Sequence, residues 1–310
     1  MPLIFTVPPQ CDGWRLGDFL RRCGCSLTAV RRAKRTDGGL LLDGAPVHTD
    51  AVVRAGQQVC LAAQENGGET PVLPQQLPLR IVYEDAHAAV VEKEAGMAVH
   101  PTLNHADGTL ANAWMGLLAA RGETGVFHPV YRLDKDTSGL LLLAKEAAAQ
   151  PFLQRSCRKL YAALLQGTPP QRAGTVTAPI GRAPDSVILR RVDPQGQPAV
   201  THYRVLTTGN GCTLAVFRLP TGRTHQIRVH MASLGCPLAG DDLYGGSKSE
   251  AFPRQALHCA ALRFDGPMGG ETGLVSAFPP QLLAAAGMPQ AAALLEEYCR
   301  EWLSGPCESV

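Results

Sequence analysis

Three charged residues stand immediately before a continuous apolar run at 140–144: Arg132, Asp134 and Lys135. The run predicts a buried strand, so these charges crowd the entrance to a core element. Removing charges from water costs free energy, and charges in such a place serve a reactive site or a salt bridge. A carboxylate such as Asp134 can act there as a nucleophile or as a general base. The residues alone leave both interpretations open.

A second chemically suggestive residue is Arg228, near the start of a helix predicted at 225–234. Thr224 is predicted to cap this helix. The dipole of a helix disfavours a cation near its N-terminus, so Arg228 requires an anionic partner unless it is simply an exposed arginine. His225 and His230 do not predict a metal site, because a spacing of five residues points them to different faces.

The elements that must position these residues begin at about residue 77. Apolar runs and turn residues predict strands at 81–85, 88–92, 126–131, 140–143, 175–180, 201–206 and 213–219. Helical periodicity predicts helices at 110–120, 152–158, 225–234 and 290–303. Ser138 and Gly139 predict a tight turn between the charged loop and its strand. The pattern favours an α+β fold built on a large mixed, mainly antiparallel sheet flanked by helices.

A smaller, basic unit precedes this region, at residues 1–62. Leu16, Phe19 and Leu20 have helical spacing, a second helix is predicted through Arg35, and two strands are predicted at 40–43 and 58–61. The unit has eight arginines and lysines against five aspartates. This excess favours a polyanionic partner, although a solvated basic helix face remains the alternative. Residues 63–76, rich in Gln, Glu, Gly and Pro, are predicted to form a linker to a larger domain at 77–310.

Composition limits the remaining classes. The sequence begins without the pattern of a signal peptide and has no apolar stretch long enough to span a bilayer, so neither membrane insertion nor secretion is predicted. Its ten cysteines are scattered and form no CxxC pair. Reduced thiols in a reducing compartment are therefore expected, with no structural zinc. We expect a cytoplasmic monomer.

The charged loop resembles a family signature. Tyr131-Arg-Leu-Asp-Lys-Asp-Thr-Ser-Gly-Leu140 is similar to the His-Arg-Leu-Asp-x-x-Thr-Ser-Gly-Leu motif of the RluA-type pseudouridine synthases. The resemblance implies that Asp134 is the catalytic residue and that Arg132 engages RNA. Tyr131 stands where the family usually has His.

Other matches follow in the family's order over residues 77–285: Glu92-Lys-Glu-Ala-Gly96, Lys159-Leu-Tyr161, Gly196-Gln-Pro-Ala-Val-Thr-His-Tyr203, and Pro220-Thr-Gly-Arg-Thr-His-Gln-Ile-Arg-Val-His230 through Gly240-Asp-x-Leu-Tyr-Gly245. The resemblance implies that Tyr161 lies against the target base as a candidate proton acceptor, and that Arg228 pairs with Asp134. It also implies that three residues contact RNA or the flipped nucleotide: Arg223, His225 and Gln226.

The expected activity is therefore isomerisation of uridine to pseudouridine in structured RNA, ribosomal or transfer. One nitrogen–carbon bond breaks and a carbon–carbon bond forms, so no cofactor or metal is required. Apolar walls from Leu133, Leu140 and Tyr161 are expected to exclude water, which would otherwise hydrolyse the detached sugar.

The first 62 residues loosely resemble the small RNA-binding domain named after a small-subunit ribosomal protein. That resemblance implies phosphate contacts from its second helix, at Arg31, Arg32 and Arg35.

Two alternatives belong to other classes. The chain could be an RNA-binding relative without catalysis, against which the set Asp134, Tyr161 and Arg228 argues. It could also be a glycoside hydrolase using Asp134 and Asp136, but two carboxylates two positions apart in a loop have no assured separation.

Overall fold

The structure is a computed structural model that describes residues 3–23, 25, 27–62, 72–102, 106–266 and 269–305, without the side chains of Thr28 and Arg32. Most of the predicted linker, 63–71, lies outside the described residues. The linker's last residues are described, and they pack on a helix that begins at Leu110. There the side-chain amide of Asn112 donates to the carbonyl of Leu73 at 2.8 Å, and the backbone N–H of Gln75 donates to the carbonyl of Asn112 at 3.0 Å.

The N-terminal unit is a four-stranded sheet with two short helices. Its elements are β1 (Leu3–Thr6), α1 (Leu16–Arg22), α2 (Leu27–Ala33), β2 (Leu40–Leu42), β3 (Ala45–Pro46) and β4 (Gln58–Leu61). The strands run in the order β1-β4-β2-β3, and each pairing is antiparallel. Leu16, Phe19 and Leu20 are buried, as their helical spacing predicts. The second helix ends at Ala33, two residues earlier than predicted, so Arg35 follows the helix.

The larger unit is built on a ten-stranded sheet. Its strands are β5 (Arg80–Glu84), β6 (Ala88–Lys93), β7 (His128–Pro129), β8 (Ser138–Ala144), β9 (Arg158–Gln166), β10 (Ala173–Val176), β13 (Thr201–Gly209), β14 (Cys212–Arg218), β15 (Leu257–Asp265) and β16 (Glu271–Val275), and a separate hairpin holds β11 (Ile180–Arg182) and β12 (Arg190–Val192). Its helices are α3 (Leu110–Ala120), α4 (Gln150–Ser156), α5 (Gln226–Ser233), α6 (Pro280–Ala285) and α7 (Ala291–Ser304). The main path is β10-β13-β14-β9-β15-β8-β6-β5, with β16 on β15 and β7 on β8.

The central strand β9 shows how helices cover both faces of the sheet. Its alternate residues point to opposite faces. Tyr161 belongs to the hydrophobic cluster that contains Ile227 of α5, whereas Leu160 belongs to the cluster that contains Leu283 of α6 and Leu295 of α7. The predicted mixed sheet flanked by helices is confirmed.

Two of the predicted strands were wrong. The segment 175–180, predicted as one strand, is divided between β10, which pairs with β13, and β11, which pairs with β12. Pro179 lies at the break, where its missing N–H cannot continue a ladder. Of the predicted strand 126–131, only His128–Pro129 is extended and paired. Among the described residues, no helix combines the length and apolarity needed to cross a membrane.

The predicted turn at Ser138 and Gly139 is instead the first part of β8. Ser138 pairs with His258, and Gly139 pairs with Cys259, in the parallel pairing between β8 and β15. Gly139 has φ +107°, a conformation open mainly to glycine. A Cβ there would lie 2.4 Å from the carbonyl oxygen of Cys259. This glycine therefore permits the close approach of two strands at the end of the charged loop.

Gly139→Ala tests that constraint. We expect a loss of unfolding free energy of about 3 kcal/mol or more, because the variant combines an unfavourable φ with a clash against backbone. Gly122→Ala is the matched control, since Gly122 also has a positive φ of +69° but no heavy atom within 4 Å of a built Cβ. The control should lose about 1 kcal/mol. Equal losses in urea titrations of the two variants would contradict the close-approach interpretation.

Candidate active site

The charged loop opens into a cleft with a volume of about 1920 Å³. Ten arginines and lysines line this cleft against four carboxylates. The cations are Arg132, Lys135, Arg158, Lys159, Arg190, Arg204, Arg218, Arg223, Arg228 and Arg263, and the carboxylates are Asp134, Asp136, Asp242 and Glu301. A cleft with this excess of positive charge attracts a polyanion. The described residues contain no group of three or more His, Cys, Asp or Glu arranged to hold a metal ion.

Two cationic side chains, Lys93 and Arg254, hold the loop between β7 and β8 in place by donating hydrogen bonds to its backbone carbonyls. The buried ammonium of Lys93 donates to the carbonyl oxygens of Glu94 and Met97 at 2.8 Å, and to that of Lys135 at 2.9 Å. Burial lowers the pKa of Lys93 to about 7. Arg254 donates to the carbonyl of Asp136 at 3.0 Å. The loop that carries Asp134 is thus fixed at the two residues that follow it.

Asp134, Arg228 and Asp241 form the centre of the site. Arg228 donates through Nε and Nη2 to the two carboxylate oxygens of Asp241 at 2.7 and 2.8 Å, and through Nη1 to Oδ2 of Asp134 at 3.1 Å. Arg228 and Asp241 are buried, whereas the Asp134 side chain is 25% exposed. Burial opposes the charge on Arg228, but the two carboxylates outweigh burial and raise the pKa of the guanidinium. Oδ1 of Asp134 makes no hydrogen bond or ion pair with any described residue and is free for a substrate.

Arg228 therefore has two anionic partners, where the sequence predicted one. The predicted helix cap at Thr224 is wrong. His225, not Thr224, is the residue before the first turn of α5. Its φ of +58° places it in the left-handed region, which is uncommon for residues other than glycine. The side chain of His225 makes no capping hydrogen bond. Its Nδ1 lies 2.7 Å from the hydroxyl of Tyr244, and its Nε2 lies 3.8 Å from Oδ2 of Asp134.

Leu133 and Tyr161 provide apolar wall to the cleft and are nearly buried. Leu140, also predicted as wall, is fully buried and does not line the cleft. Burial raises the pKa of Tyr161 well above its ordinary value, and the nearby Asp134 charge adds to this effect. Tyr161 is therefore a neutral phenol at neutral pH. Tyr131 also lines the cleft, and its hydroxyl donates to the carbonyl of Leu140 at 2.7 Å.

The residues predicted to contact RNA occupy different environments. Arg132 is exposed and lines the cleft, and Arg223 lines it while donating through Nε to the carbonyl of Pro198 at 3.0 Å. Gln226 is buried and does not line the cleft. Its amide accepts from the N–H of Arg223 at 2.9 Å and donates to the carbonyl of Val200 at 2.8 Å. The position of Gln226 thus argues against the predicted RNA contact and for a role in fixing the loop that carries Arg223.

Arg31 and Arg35 of the N-terminal unit are exposed. The side chain of Arg32 lies outside the described part of the chain. Among the described side chains, neither Arg31 nor Arg35 lines the cleft, so the structure does not bring these two arginines into the site of Asp134.

Known proteins resemble this chain over most of its length. A family model described as RNA pseudouridylate synthase matches residues 87–233. YjbO of Bacillus subtilis, described as an uncharacterized RNA pseudouridine synthase, is 39% identical over 259 residues, which are 82% of this chain and 91% of the relative. The chain belongs to the RNA pseudouridine synthase family. The ribosomal large subunit pseudouridine synthase D of Xanthomonas campestris is 40% identical over 302 residues, which are 89% of this chain and 88% of that protein.

The family is also evident in the fold. Human RNA pseudouridylate synthase domain containing 1 superposes with a TM-score of 0.56 at 27% identity, covering 72% of this chain and 95% of the human structure. The predicted RluA-type family, its fold and its enzymatic activity are therefore confirmed, and the enzyme isomerises uridine to pseudouridine in RNA. Family membership also decides against the glycoside hydrolase.

Three residues of this site received no role from sequence reasoning. Asp241 and Tyr244 lie in the Gly240–Gly245 segment, which matched the family pattern without indicating which side chains turn toward Arg228. Lys93 lies in an early matching segment, where a lysine after an apolar strand suggests an exposed end rather than a buried ammonium. The roles of these three residues depend on contacts between distant segments of the chain. Residue spacing within one segment does not report such contacts.

Asp241→Asn tests the centre of the site. The variant keeps the shape of the side chain but loses its charge and one of the two oxygens that orient Arg228. We expect the single-turnover rate of tritium release from labelled uridine to fall about 100-fold. RNA affinity should stay near wild type, because Asp241 is buried. Asp242→Asn is the matched control, as the neighbouring carboxylate is exposed and pairs at 3.7 Å with Lys248. A comparable loss in the control would contradict the role of Asp241.

Proposed function

We propose that this pseudouridine synthase modifies ribosomal RNA and that Asp134 is its catalytic residue. Several relatives about 40% identical to the chain are named ribosomal large subunit pseudouridine synthase D, which supports the choice of RNA. The observation that carries the catalytic assignment is one carboxylate, partly exposed in a strongly basic cleft, with one oxygen held by Arg228 and the other without a partner among the described residues.

The chemistry requires a dry, charged carboxylate next to the ribose. A uridine within a stack must first leave it, at a cost of a few kcal/mol that binding returns. The bond from N1 of the base to C1′ of the sugar then breaks, and a bond from C5 to C1′ forms as C5 loses its proton. Asp134 serves this sequence as a nucleophile or as a base. Leu133 and Tyr161 exclude the water that would hydrolyse the detached sugar.

The other cleft residues have distinct proposed roles. Tyr161 packs against the target base and receives the proton of C5. Since it rests as a neutral phenol, it releases its own proton to solvent in the same step, and N1 of the product takes up a proton from solvent. Arg132, exposed beside Asp134, contacts RNA as the target nucleotide leaves the helix. Arg223 and His225 contact the RNA or the flipped nucleotide, and Arg228 orients the carboxylate.

The N-terminal unit is proposed as a second contact with RNA. Residues 1–62 would form an RNA-binding module, joined through 63–76 to a catalytic domain at 77–310. The exposed side chains of Arg31 and Arg35 support this proposal, and Arg32, next to Arg31 in α2, would be the third contact. Contacts of this kind bind phosphates, so they add affinity and orientation rather than sequence specificity.

Asp134→Asn should abolish pseudouridine formation, because it keeps the size of the side chain and removes the negative charge. RNA affinity and thermal stability should stay near wild type. The assay combines purified protein with unmodified ribosomal RNA and, separately, transfer RNA, followed by chemical derivatisation that marks each pseudouridine. Substantial product from the variant would overturn the catalytic assignment. Product from wild type on transfer RNA alone would overturn the proposed substrate.

A combined Arg31→Ala, Arg32→Ala and Arg35→Ala variant should bind ribosomal RNA more weakly. Each lost phosphate contact should reduce the slope of log affinity against log salt by about one unit. Arg54→Ala is the control, because Arg54 is exposed on the same module but pairs at 3.6 Å with Asp12. Unchanged affinity and slope in the triple variant, measured by filter binding over a salt series, would contradict the proposed module.

A further inference from the structure

His225 and Tyr244 adjoin the catalytic centre in an arrangement that the proposed RNA contacts do not explain. The imidazole of His225 lies between the hydroxyl of Tyr244, 2.7 Å from Nδ1, and Oδ2 of Asp134, 3.8 Å from Nε2. The side chain of His225 is 11% exposed, so a contact with RNA uses only a small part of it and most of the ring packs against protein. The two rings meet edge to face, with centroids 5.6 Å apart.

The hydrogen bonds of Tyr244 favour a proton on one particular nitrogen of His225. The Tyr244 oxygen accepts a hydrogen bond from the backbone N–H of Arg190 at 3.0 Å. Its own hydroxyl proton has one remaining partner among the described residues, which is Nδ1 of His225. When Nδ1 accepts this hydrogen bond it carries no proton itself, and the proton of the neutral imidazole then lies on Nε2. That N–H faces the carboxylate of Asp134.

The charges around His225 are consistent with a neutral ring. Burial lowers the pKa of His225, and it outweighs the opposing attraction of Asp134 and Asp241, while Arg228 and Arg190 lower the pKa further. The ring of Tyr244 is also packed by the guanidinium of Arg228, whose central carbon lies 4.9 Å from the ring centroid. Arg228 and His225 thus approach the same oxygen of Asp134 from two sides, and Tyr244 touches both.

The backbone of His225 supports a positioning role. A left-handed residue at a helix start, without a capping hydrogen bond, costs free energy of about 1–3 kcal/mol that the surroundings must supply. Asparagine would adopt this conformation more readily but would not reach Asp134. The conformation does, however, place the imidazole between Tyr244 and Asp134.

We propose that Tyr244 fixes His225 as its Nε2–H tautomer, and that this N–H, together with Arg228, holds Oδ2 of Asp134 so that Oδ1 is presented to the substrate. His225 is then a positioning residue, and Tyr244 acts through it. The separation of 3.8 Å exceeds a hydrogen bond and shortens when RNA fills the cleft, as contacts of this kind tighten in the bound complex. This inference rests on the proposed role of Asp134.

Two substitutions of similar polarity separate positioning from folding. His225→Gln retains an N–H donor near the place of Nε2, whereas His225→Asn retains a polar atom near Nδ1 but has no donor that reaches Asp134. We expect the single-turnover rate of the Gln variant to stay within about tenfold of wild type, and that of the Asn variant to fall about 100-fold. The Asn variant should be at least as stable to heat, because asparagine tolerates the left-handed backbone. Equal rates for the two variants would overturn the proposal.

Tyr244→Phe tests the second half of the proposal, since it removes the hydroxyl and retains the ring beside Arg228. The substitution should slow the wild-type enzyme about tenfold and have no further effect in the His225→Asn background. Equal losses in both backgrounds would show that Tyr244 acts independently of His225.

Nitrogen-15 spectra of histidine-labelled full-length protein read the tautomer directly. His225→Gln identifies the signals of His225 among the nine histidines. We expect an unprotonated Nδ1 and a protonated Nε2 in wild type, with the Nδ1 signal displaced in Tyr244→Phe. A protonated Nδ1 in wild type would overturn the proposal. An active Asp134→Asn enzyme would instead refute the proposed function, and it would do so whatever tautomer the spectra report.

Discussion

The bidentate pair of Arg228 with Asp241 is the interaction on which the site depends. A guanidinium held at two nitrogens by one buried carboxylate has its third nitrogen fixed in direction. Asp134 accepts a hydrogen bond from that third nitrogen. Removing a partner from a buried pair leaves an uncompensated charge at a cost of about 3–5 kcal/mol. The pair therefore fixes the orientation of the Asp134 carboxylate. It also supplies the positive charge that compensates the negative charge of that carboxylate inside the protein.

The sheet brings the parts of this site together from distant segments. The loop of Asp134 leads into β8, and β8 runs parallel to β15 at a contact that only a residue without Cβ allows, at Gly139. Helix α5, which carries Arg228, packs through Ile227 in the same cluster as Tyr161 of β9. Lys93, at the end of β6, anchors the same loop through the carbonyl of Lys135. The side chains that line the centre of the site thus come from a strand, a helix and an anchored loop, which limits their motion.

The sequence predicted the elements with strong periodicity and missed what depends on distant contacts. Helices α3 and α7 and strand β14 lie within a residue or two of their predicted bounds, because apolar spacing reports directly which face is buried. The left-handed His225 was missed, since no local pattern requires it. Gln226 was predicted to contact RNA from its neighbours in the motif, although its amide is used inside the protein. The pairing of Arg228 with Asp134 was expected, but the second carboxylate, Asp241, became evident only from the fold.

The concentration of cations in the cleft makes the whole molecule an electric dipole. The chain has a formal net charge of only +2, whereas the cleft lining alone has an excess of six positive charges. Residues 1–62 add an excess of three positive charges, so the residues outside both the cleft and this unit carry an excess of seven negative charges. Those residues repel RNA whereas the cleft and the N-terminal unit attract it, so the field exerts a torque that turns the enzyme before contact. Productive encounters become frequent without strong adhesion to the acidic part of the surface, which lets the enzyme leave its product and search again.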